Sequence, residues 1–188
     1  MIPERSMQSQ DRLRIAILAA YAIGLHGLER MIPAPVPWLR FGFANIITLT
    51  ALILYGLRVA MTITLIRVLI VSLLTGSFLG PGFVLSLGGG VASTLIMGGA
   101  YSLFSGIFSP VGIGLIGAMA HNLTQLSLAY LLFIRRIEAI LFVAPLILFL
   151  GIITGLFNGM ASGLLLKKLG EKITVTQLNP KTKEEEKI

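Results

Sequence analysis

Six apolar stretches, parted by glycine, proline or charge, organise the chain. The first covers residues 13–28 behind Arg5 and Arg12 and takes in Arg14 and His26. The second covers 41–57 and the third 59–78, with Gly56 and Arg58 at their junction. Gly80-Pro81-Gly82 precedes the fourth, 83–104, and Ser109-Pro110 the fifth, 111–134. Arg135, Arg136 and Glu138 precede the sixth, 139–166, which stops at Lys167-Lys168. A helix crossing the hydrocarbon core of a bilayer needs about 20 apolar residues. The pattern therefore predicts an all-α, polytopic membrane protein with six transmembrane helices. The first stretch is the shortest and also fits a signal peptide ending near Ala20-Tyr21-Ala22. Ile23, Leu25, Leu28, Met31 and Ile32 carry its apolar character past that point, which favours a retained helix.

Between the first two stretches, Pro33-Ala34-Pro35-Val36-Pro37-Trp38 alternates proline in a way that forbids a helix, and Trp38 suits the membrane interface. This segment reads as an extracellular loop able to cover a site. The division expected is a six-helix transmembrane domain over 1–169 and a polar cytoplasmic tail over 170–188, whose mixed charges leave too little apolar area to fold alone. With the amino terminus inside, Arg5, Arg12, Arg14, Arg58 and the tail lysines lie in the cytoplasm, against Arg30, Arg40, Arg135 and Arg136 outside. That excess places both termini in the cytoplasm and the chain in the cell membrane as a multi-pass protein.

Composition narrows the function classes. The chain is 55% hydrophobic and 12% charged, with a mean hydropathy of +0.91, more apolar surface than a water-soluble fold can hide. A net charge of +7 would suit nucleic acid, but the lysines and arginines sit at segment boundaries, so no nucleic-acid partner is expected. With no cysteine there is no disulfide or thiolate chemistry. Asp11 is the only aspartate, so the paired aspartate clusters with which a prenyl diphosphate synthase holds magnesium are missing. No metal, cofactor or phosphate loop is expected, and no ATPase.

The residues left to carry chemistry are polar groups in apolar helices, where an ionisable side chain is costly and marks a site or a partner. Arg67 lies among Leu65, Ile66, Val68, Leu69 and Ile70. It has to meet a helix carbonyl, water or an anionic ligand. His121, Asn122 and Gln125 form a polar stripe in the fifth stretch, with His121 and Gln125 one turn apart. These residues, with Asn45 and Asn158, are candidate ligand contacts and also candidate bonds between helices, the reading favoured for Asn122. Glu29 and Arg30, beside the proline loop, either close a site or mark the interface. Gly151, Gly155, Gly159 and Gly163 recur every four residues, a spacing that lets helix backbones approach within this protein or in another subunit.

Leu28-Glu29-Arg30, Leu39-Arg40-Phe41-Gly42-Phe43-Ala44-Asn45-Ile46, Leu57-Arg58, Leu65-Ile66-Arg67, Leu85-Ser86-Leu87-Gly88-Gly89 and Gly117-Ala118-Met119-Ala120-His121-Asn122-Leu123-Thr124-Gln125 together resemble the Gx transporter family. Many of its members carry the name heptaprenyl diphosphate synthase component I. Phe43 stands where leucine is expected. The resemblance implies a fold like the S components of energy-coupling-factor (ECF) transporters, which bind a small molecule from outside and rely on a coupling subunit with ATPases. Ala16 and Ala20 then resemble the small-residue face by which S components dock on that subunit. The expectation is a substrate-binding or transport subunit for a small amphipathic or anionic molecule, vitamin-like or related to isoprenoids and quinones. Arg67 would take an anionic or carbonyl group; His121, Asn122, Gln125, Asn158 and Asn45 would bond it, and Glu29 and the proline loop would gate access. The alternative is a non-catalytic membrane partner of a prenyltransferase subunit, without enzymatic activity of its own.

Overall fold

The computed structural model describes residues 9–31, 42–104 and 107–178. The proline-rich segment, Arg40, Arg5 and residues 179–188 lie outside the described residues, and with them the loop expected to cover a site and the end of the tail. Within the described residues the chain is all-helical: α1 (Ser9–Met31), α2 (Asn45–Tyr55), α3 (Leu57–Leu74), α4 (Pro81–Leu103), α5 (Pro110–Ala129), a π-helical turn (Tyr130–Ile134) and α6 (Ile137–Leu178).

Local sequence accounts for the breaks. Gly56, at φ 85°, is the only residue between α2 and α3, a backbone conformation that glycine adopts without steric cost. Pro81 and Pro110 open α4 and α5, where the missing N–H would have had no helical partner anyway. Ser109 caps α5 by accepting from the Gly112 N–H at 3.4 Å. At the far end of α5, Arg135 takes a left-handed conformation, and its N–H reaches back to the Tyr130 carbonyl at 3.1 Å.

Two boundaries differ from the hydropathy reading. The second helix does not begin at 41: Gly42, at φ 80°, sits in a turn in which the Asn45 N–H bonds the Gly42 carbonyl at 2.9 Å, so α2 starts at Asn45. Its 11 residues give about 16 Å of helix, short of a core about 30 Å thick. The sixth helix runs past 166 and on to Leu178, into the segment read as an unfolded tail. Helix α1 is continuous through Arg12, Arg14 and His26.

Three helical segments among the described residues are long and apolar enough to cross a membrane: Leu57–Leu74, Pro81–Leu103 and Ile137–Leu169. Their faces are arranged for lipid. On α3, Leu65, Ile66, Leu69, Ile70, Leu73 and Leu74 are exposed, while Thr64, Arg67 and Ser72 are buried. On α6, Phe142 is 86% exposed and Asn158 1%. A fold that turns its leucines outward and its arginine inward is built for an apolar solvent.

Two apolar clusters form the core. One gathers Leu18, Ile47, Leu49, Leu52, Ile63, Met97 and Ile113 from α1 to α5; the other gathers Leu85, Leu126, Ala129, Ile140 and Ile147 from α4 to α6. Along α4 and α5 the buried polar residues fall between the members of the two clusters: Ser93 and Thr94 between Leu85 and Met97, and His121, Asn122 and Gln125 between Ile113 and Leu126. A polar layer is thus held between two apolar ones. Helices α5 and α6 meet at their backbones: a Cβ on Gly155 would stand 2.8 Å from the Leu115 Cα, and one on Gly114 2.8 Å from the Gly159 nitrogen. Of the glycines spaced by four, Gly155 and Gly159 pack within this protein, Gly151 lies against Asn122, and a Cβ at Gly163 would meet nothing within 4 Å.

Candidate functional site

Helical spacing puts Ala60, Ile63, Thr64, Arg67, Val68 and Val71 on the inner face of α3. Arg67 is 2% exposed. Its Nη2 donates to Asn45 Oδ1 at 2.7 Å, and its Nε is buried without a hydrogen-bond partner. Asn45 is the first residue of α2. Its Nδ2 lies 3.5 Å from Ser93 Oγ on α4, and that hydroxyl donates to the Gly117 carbonyl on α5 at 2.8 Å. One chain of polar contacts therefore joins α3, α2, α4 and α5.

The turn ahead of α2 is the second centre. The Gly42 N–H donates to Glu29 Oε1 at 2.6 Å, and the Gly42 carbonyl accepts from Asn158 Nδ2 at 3.0 Å. One residue, Gly42, thus ties α1 to α6. Glu29 is 4% exposed. A Cβ on Gly42 would stand 3.0 Å from Asn45 Nδ2 and 3.7 Å from the His121 ring, so the two centres adjoin.

His121 and Gln125 pair with each other, Nε2 to Nε2 at 3.0 Å. An amide nitrogen only donates, so this contact is a hydrogen bond in the tautomer whose imidazole accepts at Nε2 and carries its proton on Nδ1. That nitrogen faces Gly89 of α4, where a Cβ would come within 2.9 Å of it. Asn122 points elsewhere: its Nδ2 donates to the Ile147 carbonyl on α6 at 3.0 Å, a bond between helices.

The structure therefore brings Glu29, Asn45, Arg67, His121 and Asn158 around Gly42, seats Gln125 behind His121, and leaves Asn122 on the α5–α6 seam. Ala16 and Ala20 lie elsewhere, on an exposed face of α1 with Leu13, Ile17 and Tyr21. Arg30, at the end of α1, donates to Thr75 Oγ1 at 2.7 Å and to Ser77 Oγ, holding α1 to the α3–α4 connection.

Hydropathy missed Gly42 and Ser93, as well as a buried hydroxyl ladder in which Thr48 lies 3.2 Å from Thr64 and Thr64 lies 3.0 Å from Thr94. The available signal was spacing: Thr48 follows Asn45 and Thr64 precedes Arg67 by one helical turn. His26, 5% exposed, also precedes Glu29 by a turn.

Chemically, the cluster offers a guanidinium, amides, an imidazole and one carboxylate. That set can hold and orient a polar group. Among the described residues no group of three His, Asp or Glu is placed to hold a metal. Beside Phe43, a neighbour of Gly42, an apolar groove of about 380 Å³ is lined by Phe43, Leu150, Ile153, Thr154 and Phe157, with the two phenyl rings edge to face at 5.9 Å.

A family model described as heptaprenyl diphosphate synthase component I matches residues 18–165, a span that includes every residue of the buried cluster. No curated protein and no solved structure matches the chain.

Proposed function

The chain belongs to the heptaprenyl diphosphate synthase component I family, and we propose that it is a membrane-embedded subunit that binds a small amphipathic or anionic molecule and relies on partner proteins for any work done on it. The observation that carries this reading is Arg67. A guanidinium 2% exposed in a chain whose outer faces are apolar is expensive, and here its direct bond is to a neutral amide of Asn45. Such a group supports recognition of an anionic or carbonyl group better than a purely structural role, which a neutral donor would fill at lower desolvation cost.

In this reading six segments cross the membrane, the short α2 doing so only together with the chain ahead of it, residues 1–169 form the transmembrane domain, and both termini are cytoplasmic. The molecule acts in the manner of an ECF S component. Arg67, Asn45, His121 and Asn158 contact the ligand, Gln125 orients His121, Asn122 supports the neighbouring helix, and Glu29 gates the site. The exposed face with Ala16 and Ala20 meets a coupling subunit. The test is native mass spectrometry of the protein purified in mild detergent, which reads retained small molecules and partners together. A small molecule retained by the wild type and lost from Arg67→Gln and His121→Ala supports the site; retention by both variants overturns it.

The family description favours a second reading, a non-catalytic membrane component that seats a prenyl diphosphate synthase. With Asp11 as the only aspartate, the catalytic metal site would belong to the partner. A soluble prenyltransferase in stoichiometric amount in the same spectra selects this reading, and a coupling subunit with ATPases selects the first.

A further inference from the structure

The buried charges around Gly42 are arranged as an anion site with an anion of the protein's own in it. Helix α2 begins inside the bundle, with Ala44 as a cap that offers no side-chain bond and no acidic residue in its first turn. The start of a helix carries partial positive charge; here the Asn45 and Ile46 N–H groups already bond the Gly42 and Phe43 carbonyls, which leaves the Gly42 N–H, one turn earlier, to meet an anion. Arg67 adds a full positive charge at that point through Asn45, the first residue of the helix. Two positive elements thus meet in an apolar interior, and the carboxylate that answers them comes from another helix: Glu29 of α1 reaches the Gly42 N–H at 2.6 Å.

We propose that the Glu29 carboxylate occupies the place of a ligand oxyanion, carboxylate or phosphate, and that such a ligand binds by displacing it from the Gly42 N–H beside Arg67. The proposal rests on the ligand-site reading above and names the ligand's polar group. Two further buried atoms point the same way. Arg67 Nε is a donor without a partner and Asn158 Oδ1 an acceptor without one, on residues 2% and 1% exposed. The cluster holds more hydrogen-bonding capacity than one carboxylate uses, which suits a larger polar group carrying both oxyanion and hydroxyl functions.

The experiment measures equilibrium binding of inorganic pyrophosphate and of acetate to the full chain in lipid nanodiscs at low ionic strength, for the wild type, Glu29→Gln, Arg67→Gln and the double variant. Glutamine keeps an acceptor for the Gly42 N–H while removing the competing charge. Expected is a gain of about tenfold or more for one of the two anions in Glu29→Gln, as for any site freed from a dominant self-occupied state; which anion gains tells phosphate from carboxylate. Expected too is loss of that binding when Arg67→Gln is added. Unchanged, weaker or absent binding in Glu29→Gln overturns the displacement, and loss of wild-type binding in Arg67→Gln then leaves the site itself standing. Binding untouched by Arg67→Gln overturns the site as well. Should Glu29→Gln fail to fold, Glu29→Asp, one methylene short of the Gly42 N–H, reads the same gain at smaller size, and no gain there overturns the proposal.

Discussion

Gly42 is where the polar groups of the bundle converge: its N–H takes Glu29, its carbonyl takes Asn158 and the Asn45 amide, and its α-carbon lies close to Asn45 and His121. Only glycine holds φ 80° there without strain. Gly42→Ala adds a Cβ 3.0 Å from Asn45 Nδ2 in a left-handed turn. It should lower stability by about 1–3 kcal/mol, read as a lower midpoint of thermal unfolding in detergent. Arg67 was legible in the sequence because one charge stands out in an apolar run, and the His121–Gln125 pair because its spacing is one turn. Gly42 and Ser93 were not. A backbone N–H and a small hydroxyl leave no mark on hydropathy, and only the fold shows that they face Glu29 and Gly117.

At the scale of elements, hydropathy located α3 and α4 to within a few residues, since glycine, proline and charge all fall at their ends. It overran at the start of α2, because the turn through Gly42 and Phe43 is as apolar as the helix after it. It stopped short on α6, because a helix continues wherever its backbone bonds are satisfied, whether or not its side chains are apolar. Glycine spacing suggested close packing without naming the partner helix. The contrast between two of these glycines is testable. Gly155→Ala forces a Cβ to 2.8 Å from the Leu115 Cα and should cost about 1–3 kcal/mol. Gly163→Ala meets nothing within 4 Å and should be neutral or stabilising by a few tenths of a kcal/mol. Unfolding in graded denaturing detergent compares the two; equal effects would contradict the packing described.

For the whole molecule, the charge distribution sets the orientation proposed for the chain. The absence of native cysteine makes single-cysteine variants clean reporters. In intact cells a membrane-impermeant maleimide should label Arg136→Cys, and it should label Lys168→Cys only after permeabilisation; the reverse result would invert the topology. The seam between α5 and α6 has a mechanical consequence. Helices touching through Gly114, Gly155 and Gly159 have little side-chain layer between them on which to slide, so they act as one stiff strut, with Asn122 as a rivet across it. Helix α1 meets the strut's side of the cluster through Glu29 and the Gly42 N–H, and the Gly42 carbonyl joins α6 through Asn158. Such hydrogen bonds can be exchanged one at a time, whereas interlocked backbones cannot. The strut is therefore a fixed wall of the cluster, and any rearrangement that exchanges the Gly42 bonds has to move α1 or the turn before α2 against it.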